Sequence, residues 1–219
     1  MCGIASTNPS PIYQEDKFKL NELCLRSFRE AFRDTDITVI FLADFCGPEY
    51  DNMIYDIIPF PYDIFHTKLG INGTCLKQYE LASDIDDDFL FQECDYLYRP
   101  NTGKQLLDAI QAFDLVSPYD HLNFYKDRSI HSNYATIELL NGEHYRTTER
   151  NTMTFGMTKD AFEKNKDILN KWGYLDNEVW KEMRENGYPL YVPIPSLATH
   201  MAKDWLAPSV DWKEIWEKL

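Results

Sequence analysis

The sequence has few cationic residues and no long apolar run. Only 22 Lys and Arg stand against 36 Asp and Glu, so the formal net charge is −14. A surface this acidic repels phosphates, and we expect neither a nucleic-acid partner nor an anionic membrane. One small anionic ligand stays compatible with this charge if a cation accompanies it. No apolar stretch approaches the ~20 residues of a membrane span, so we also expect no membrane span.

The five cysteines are isolated, and no C-x-x-C pair is present. This spacing argues against a disulfide framework and a cysteine zinc site, and it favours a reducing compartment. Because no secretory leader pattern opens the chain, we predict a cytoplasmic protein, although a chain cut from a longer precursor would look the same. The length of 219 residues, with 44% hydrophobic residues, predicts one globular domain over 1–219.

In the first half of the chain, segments whose apolar residues recur with the period of a helix alternate with continuous apolar runs. Between Asp16 and Arg33 apolar residues recur at steps of three and four, which predicts an amphipathic helix. DITVIFLAD is a continuous apolar run, typical of a strand buried on both faces. Later, Asn141-Gly142 predicts the turn of a hairpin. Further helices are predicted over 73–83, 102–113, 159–172 and 178–185, and further strands in DDDFLFQECD, DLVSPYDH, NTMTFGMT and PLYVPIPSLATH.

This order of elements predicts an α/β fold. We expect a mainly parallel sheet flanked by helices, with a small antiparallel insertion in the second half. In such sheets ligands bind beyond the carboxyl ends of the strands. Asp44, Asp95 and Asp120 all lie where a predicted strand stops, so the sequence predicts a site at this edge.

Two carboxylates in FLFQECDYLYRP suggest a metal site. Glu93 and Asp95 are two positions apart, so in an extended segment their side chains point the same way. Hard oxygen ligands of this kind suit Mg²⁺ or Mn²⁺, which share their remaining positions with water and substrate phosphates. The alternative is an ordinary solvated strand end, where acidic residues are common.

DDDFLFQECDYLYRPNTGKQLLDAI followed by DLVSPYDHLNFY resembles a GT-A glycosyltransferase of the family-2-like kind. GINGTCLKQYELA, NTMTFGMTKDAF and PSLATHM extend the resemblance over most of the chain. It implies a single-domain Rossmann-like fold in which an acidic D-x-D or E-D-D motif binds a divalent cation. That cation bridges the diphosphate of a nucleotide sugar. The chain departs from the motif because its triplet is E-C-D, with Cys94 in the middle; Asp95 is retained.

The resemblance implies a role for a late histidine and for the N-terminal half. His200 would join Asp95 as a metal ligand, although it could equally pack at a strand end. Asp44 would contact the base or ribose, with Ser6 and Thr7 in the loop beneath the base. A plain loop aspartate is the alternative for Asp44.

Two further groups are candidates for binding substrate. Asn72-Gly73-Thr74 precedes a predicted helix whose free N–H groups favour anions, and Lys77 lies one turn further on. An ordinary turn with an N-cap is the alternative. Asp120 and His121 could orient a sugar hydroxyl, or they could stabilise the turn after Pro118.

The resemblance places a general base at the start of a late helix, in YLDNEVW. An inverting transfer needs such a base to deprotonate the acceptor hydroxyl. Asp176 is preferred over Glu178, although Asp176 also looks like an N-cap and Glu178 suits the first turn of a helix. Retaining chemistry, which uses no such base, stays open.

We therefore expect a metal-dependent glycosyltransferase, with Mn²⁺ or Mg²⁺ as cofactor. Residues 1–120 would bind a UDP or GDP type of sugar donor, and residues 121–219 would bind a glycan or other hydroxyl acceptor. A nucleotidyltransferase is an alternative, but IASTNPSPIYQED lacks the Gly-rich basic loop that it would need. A catalytically inactive nucleotide- or glycan-binding member of the fold is the other alternative, because the acidic triplet is altered.

Overall fold

The computed structural model describes residues 12–13, 16–126 and 135–219. These residues form eight α-helices and ten β-strands. The helices are α1 (Lys17–Phe32), α2 (Pro48–Ile57), α3 (Gly70–Ser83), α4 (Gly103–Phe113), α5 (Asn123–Lys126), α6 (Lys159–Trp172), α7 (Asp176–Glu185) and α8 (Trp212–Trp216). The strands are β1 (Val39–Asp44), β2 (Tyr62–Thr67), β3 (Phe89–Phe91), β4 (Tyr96–Tyr98), β5 (Leu115–Val116), β6 (Ile137–Leu140), β7 (Glu143–Thr148), β8 (Phe155–Met157), β9 (Leu190–Ile194) and β10 (Ala198–His200).

The largest sheet is mixed rather than mainly parallel. Its six strands run in the order β3-β8-β5-β9-β7-β6. Within it only the β5–β9 pair is parallel among the described strands, and the other four pairs are antiparallel. The predicted α/β class is confirmed, but the predicted mainly parallel sheet does not describe these pairings. The local apolar pattern marks a buried strand without encoding its direction, which depends on how the chain connects the strands.

Two smaller ladders flank this sheet. β1 and β2 are parallel, so their carboxyl ends, Asp44 and Thr67, lie side by side. β4 and β10 are antiparallel and place His200 opposite Tyr96. Because Tyr96 directly follows Asp95, this second ladder brings the end of the acidic turn to the late histidine. YLYRP therefore begins as a strand, which was not predicted.

Local signals explain the elements that were predicted well. Asp16 caps α1, since its carboxylate accepts a hydrogen bond of 2.9 Å from the backbone N–H of Lys19. The β6–β7 turn has Asn141 at φ 53° and Gly142 at φ 86°, the left-handed geometry that an Asn-Gly pair adopts readily. α2 and β2 were not predicted. The burial of β2 alternates only in part, so its apolar signal is weak.

Two apolar clusters hold these elements together. The first packs α1, α2 and α4 against β4 and the α8 segment, and the second packs α3, α6 and α7 against β3 and β8. The first cluster contains residues from both 1–120 and 121–219, so the predicted halves share a core. The assignment of 1–219 to one glycosyltransferase domain stays a prediction. None of the helices in the described segments has the length and apolar character to span a bilayer.

Candidate functional site

The turn between β3 and β4 carries the acidic residues and is fixed from two sides. The backbone N–H of Glu93 donates to Thr154 Oγ1 at 3.1 Å, just before β8 begins. The backbone carbonyl of Asp95 accepts from the N–H of Met201 at 2.8 Å, just after β10 ends. The acidic turn is thus held by two segments from the second half of the chain.

Asp95 and His200 are in direct contact. His200 Nε2 lies 3.0 Å from Asp95 Oδ2, and the Tyr96 ring stacks on the imidazole with 5.4 Å between centroids. Burial acts to lower the pKa of His200, but the charge and the hydrogen bond of Asp95 outweigh it and raise that pKa. For Asp95, burial acts to raise the pKa, but His200 outweighs it and the pKa is lowered. The pair therefore favours an ionised carboxylate beside a basic imidazole.

The pKa of Glu93 is shifted in the opposite direction to that of Asp95. Burial, followed by the charge of Asp95, raises the pKa of Glu93 to about 7, and the charge of Asp176 adds to this effect. The hydroxyl of Thr154 lies 3.5 Å from Glu93 Oε2. Glu93 consequently holds its proton more tightly than an ordinary glutamate, unless a cation offsets the neighbouring carboxylates.

Asp176, at the start of α7, acts on Glu93 through its charge. It is the first residue of that helix, whereas Leu175 is the N-cap, so the interpretation of Asp176 as an N-cap is wrong. Its Oδ1 accepts from the adjoining N–H of Asn177 at 2.7 Å. Burial raises the pKa of Asp176, although the Asn177 N–H and the charge of Arg150 oppose this. Glu178 is exposed in the first turn of the same helix.

The helix that carries Asp176 is tied to the loop before β8. The indole N–H of Trp180 donates to the carbonyl of Asn151 at 2.8 Å, and the Asn151 side chain donates to the carbonyl of Tyr119 at 2.8 Å. Thr152 in the same loop hydrogen-bonds to the Tyr96 hydroxyl. This loop therefore links the elements that carry Asp176, Glu93 and Asp95.

Asp95 and His200 supply fewer donor atoms than a closed metal site needs. In this structure Nε2 of His200 and Oδ2 of Asp95 are 3.0 Å apart as a hydrogen-bonded ion pair, so a metal ion bound by both residues would have to displace the proton between them. Across residues 12–13, 16–126 and 135–219, no group of three or more His, Cys, Asp or Glu could hold a metal. A cation here would need oxygen ligands from water or substrate. Among the residues that the structure describes, His200 Nδ1 is buried without a hydrogen-bond partner, so the ring is oriented by the Asp95 carboxylate at Nε2 and by the stacked Tyr96 ring.

Asp120, a candidate for orienting a sugar hydroxyl, lies in a buried ion pair. Its Oδ1 accepts from Nε of Arg146 at 3.2 Å and also from Nη2, while its Oδ2 accepts from the Tyr125 hydroxyl. Arg146 lies over the Phe124 ring, with 4.0 Å from Cζ to the centroid. Both oxygens of Asp120 are engaged, and its role toward a sugar hydroxyl stays a prediction.

The charges of both His200 and Arg146 act on His121. Burial, with the charges of His200 and Arg146, lowers its pKa to about 4, so the ring is neutral near pH 7. Its Nδ1 accepts from the N–H of Asn123 at 3.0 Å, which leaves the proton on Nε2. The indole of Trp205 packs edge-on against the ring at 4.6 Å. His121 thus lies on the apolar side of the site.

Both carboxylate oxygens of Asp44 accept hydrogen bonds from the start of α3 and from the residues just before it. Its Oδ1 accepts from the Thr67 hydroxyl at 2.8 Å and from the N–H of Leu69 at 2.6 Å, and its Oδ2 accepts from the N–H of Gly70 at 3.0 Å. Across the described segments, no hydrogen bond or ion pair joins Asp44 to the Asp95 turn. An open cavity of about 620 Å³ lies beside it at the ends of β1 and β2. A contact of Asp44 with a nucleoside stays a prediction.

The Asn72-Gly73-Thr74 segment lies inside α3, so its interpretation as a turn with an N-cap is wrong. Leu69 is the N-cap, and Thr74 Oγ1 donates back to the Gly70 carbonyl at 3.0 Å. Asn72 Oδ1 accepts from the N–H of Tyr174 at 3.3 Å, and Lys77 pairs with Glu80 at 2.6 Å. Their predicted roles toward the donor remain untested. Ser6 and Thr7 lie outside the described residues.

The sequence and its resemblance predicted that Glu93, Asp95, His200 and Asp176 belong to one site. They did not predict the residues that hold this site in place. Thr152 and Thr154 are two positions apart and contact Tyr96 and Glu93, respectively. Their spacing at the entry to a strand was a usable signal, because alternate side chains share a face. The partnership of Arg146 with Asp120 had no local signal.

We compared the chain with known proteins. No family model matches it, and no curated protein gives a significant match.

Proposed function

We propose that the protein is a metal-dependent glycosyltransferase that moves a sugar from a nucleotide-diphosphate sugar to an acceptor hydroxyl. One observation carries the proposal. Glu93, Asp95 and His200 meet at one end of the sheet, and Asp176 is near enough for its charge to raise the pKa of Glu93. The mixed sheet would then be a GT-A-type, Rossmann-like scaffold, as the resemblance of the sequence suggests.

Asp95 and His200 would hold Mn²⁺ or Mg²⁺, with Glu93 assisting directly or through water. When bound, the cation would neutralise negative charge on the diphosphate of the donor. A bound cation also favours the ionised form of Glu93, so Glu93 would release its proton as the site fills. The stacked ring of Tyr96 holds the His200 imidazole against Asp95.

Asp176 would act as the general base of an inverting transfer. Its raised pKa, caused mainly by burial, makes its carboxylate a better proton acceptor than that of an ordinary aspartate. It would take the proton of the acceptor hydroxyl as that oxygen attacks the anomeric carbon. Glu178, exposed two residues further along α7, would be a weaker candidate.

A thermal-shift panel of UDP and GDP sugars, with and without Mn²⁺, tests the proposal. A donor at about 100 times its Kd should add about 2.7 kcal/mol, or roughly 5–10 °C for a domain of this size. Asp95→Ala should abolish the metal-dependent shift. Asp86→Ala is the matched control, because Asp86 is an exposed carboxylate in the loop that precedes the same strand.

A well-folded protein that shows no metal-dependent shift with any donor would refute the proposal. Consumption of the shifting donor should then be measured, with Asp176→Asn expected to lower turnover at least about 100-fold. Donor binding without turnover in Mn²⁺ would instead identify a non-catalytic binding protein.

A further inference from the structure

Three Asn-Gly pairs occur in the sequence, and the structure places them in three different surroundings. They are Asn72-Gly73, Asn141-Gly142 and Asn186-Gly187. In such a pair the backbone nitrogen of the glycine can attack the side-chain carbonyl carbon of the asparagine, because glycine has no Cβ to hinder the approach. All three asparagines are exposed, so exposure does not distinguish them. The backbone and the hydrogen-bond partners of each pair therefore decide whether it reacts.

The first pair is protected by a helix. Asn72 and Gly73 lie in α3, and Asn72 Oδ1 accepts from the N–H of Tyr174 at 3.3 Å. Helical side chains point toward the N-terminus of their helix, so the Asn72 carboxamide is directed away from the Gly73 nitrogen. Attack by that nitrogen consequently requires local opening of α3.

The last pair is protected by its hydrogen bonds. Asn186 is the C-cap of α7, and its Nδ2 donates to Oδ1 of the buried Asn165 at 2.8 Å. The N–H of Gly187 donates to the carbonyl of Arg184 at 3.0 Å. Both the carboxamide and the nitrogen that would attack it are thus already engaged, and the reaction must first break these bonds.

The middle pair has neither protection. Asn141 and Gly142 form the tip of the β6–β7 hairpin, between the paired residues Leu140 and Glu143. Among the residues that the structure describes, neither the Asn141 carboxamide nor the Gly142 N–H has a hydrogen-bond partner. No atom of those residues lies within 4 Å of the point that a Cβ on Gly142 would occupy. A change of backbone angles here costs at most the adjoining Leu140–Glu143 pair.

We propose that Asn141 is a modification site, at which the folded protein deamidates without an enzyme. The Gly142 nitrogen would lose its proton to solvent base and attack Asn141 Cγ. The new C–N bond closes a succinimide ring, and the side-chain nitrogen leaves as ammonia. Water then opens the ring at one of its two carbonyl groups, which gives isoaspartate or aspartate. The inference is independent of the proposed function.

Isoaspartate at this position would alter the edge of the largest sheet. It routes the main chain through the former side chain, which lengthens a turn whose two residues set the register of the hairpin. It also adds a carboxylate close to Glu143. Among the described strands, β6 pairs only with β7. We therefore expect the modified chain to hold β6 less firmly, beginning at the Leu140–Glu143 pair.

Peptide mapping by mass spectrometry, with fragmentation that separates isoaspartate from aspartate, tests the site on the full chain. During incubation at mildly alkaline pH, the folded protein should deamidate at Asn141 at least about tenfold faster than at Asn72 or Asn186. In guanidinium chloride the three rates should converge, because the protection of the other two pairs is lost. If Asn72 or Asn186 reacts as fast as Asn141 in the folded protein, or if folding slows all three equally, the inference is overturned.

Matched variants and a second readout check the product. An isoaspartyl carboxyl methyltransferase with labelled S-adenosylmethionine should methylate the incubated native chain and the Asn72→Gln control equally, but not Asn141→Gln. Equal methylation of Asn141→Gln would place the isoaspartate elsewhere and refute the assignment. If Asn141→Gln does not fold, the peptide map of the native chain decides the question alone. Hydrogen exchange at the β6 amides should be at least about tenfold faster in the isoaspartate form, with α4 unchanged. Unaltered exchange in β6 would refute the predicted loosening of the sheet edge.

Discussion

Asp95 and Asp120 both follow a strand of the same sheet, yet their surroundings differ in kind. Asp120 is buried, and both of its oxygens are engaged by Arg146 and Tyr125. Among the residues that the structure describes, the Asp95 carboxylate forms an ion pair with His200 and its side chain is 19% exposed. It lies close to Glu93, on which the charge of Asp176 also acts. A carboxylate whose partners are complete contributes to stability, whereas one among like charges is able to receive a cation. Position at a strand end therefore does not distinguish a structural aspartate from a functional one; its partners do.

Of the substitutions that this comparison suggests, the one at Asp120 should have the largest effect on the stability of the protein. Asp120→Ala leaves the Arg146 guanidinium buried without its carboxylate, which should cost about 3–5 kcal/mol of unfolding free energy. Chemical denaturation measures the loss. The double variant with Arg146→Met should recover part of it, since no unpaired charge then remains. An Asp95→Ala variant as unstable as Asp120→Ala would break the distinction between the two aspartates.

Glu93 should give the next largest effect, with a characteristic pH dependence. Its pKa is about 7 in the folded protein against an ordinary 4.5, so between these values the folded state keeps a proton that the unfolded state has lost. The unfolding free energy should fall as the pH rises from about 4.5 to 7, and should then level off. Glu93→Gln should be more stable than the native protein at pH 8, by roughly 1–3 kcal/mol.

Denaturation curves between pH 4.5 and pH 8 test this prediction, with Glu178→Gln as an exposed carboxylate control in α7. A Glu93→Gln variant that is less stable than the native protein at pH 8 would show that the carboxylate is compensated in the metal-free protein. Saturating Mn²⁺ should reduce the difference, because a bound cation favours the ionised glutamate.

The smallest effect is expected at Asp44. Asp44→Ala removes the acceptor for two N–H groups at the start of α3 and for the Thr67 hydroxyl, which should cost about 1–2 kcal/mol. Asp63→Ala, an exposed change on β2, is the control. If Asp44→Ala leaves stability intact and instead weakens donor binding, Asp44 belongs with Asp95 and not with Asp120.

Periodicity predicted α1, α4, α6 and the β6–β7 hairpin because each is specified by local apolar spacing or by its turn residues. β4 was missed because Tyr96–Tyr98 gains its strand character from pairing with β10, a contact between distant parts of the chain. The antiparallel direction of β8 between β3 and β5 was missed for the same reason.

The candidate site shows the same division. The resemblance to GT-A glycosyltransferases implied that His200 joins Asp95, and a contact between the two side chains is present. The E-x-D spacing by itself predicted only that Glu93 and Asp95 point the same way. The engagement of Asp44 with α3 and of Asp120 with Arg146 was not predictable, since a strand-end aspartate has the same sequence signature whether or not its oxygens are occupied. Only the three-dimensional arrangement gives that information.

The ladder between β4 and β10 has a consequence for biosynthesis. His200 is translated 105 positions after Asp95, which corresponds to roughly 5–20 s at ordinary rates of elongation. During that interval the acidic turn exists without its imidazole and without the Met201 N–H that anchors it. In a nascent chain the acidic turn would therefore acquire these two contacts only after β10 has been synthesised.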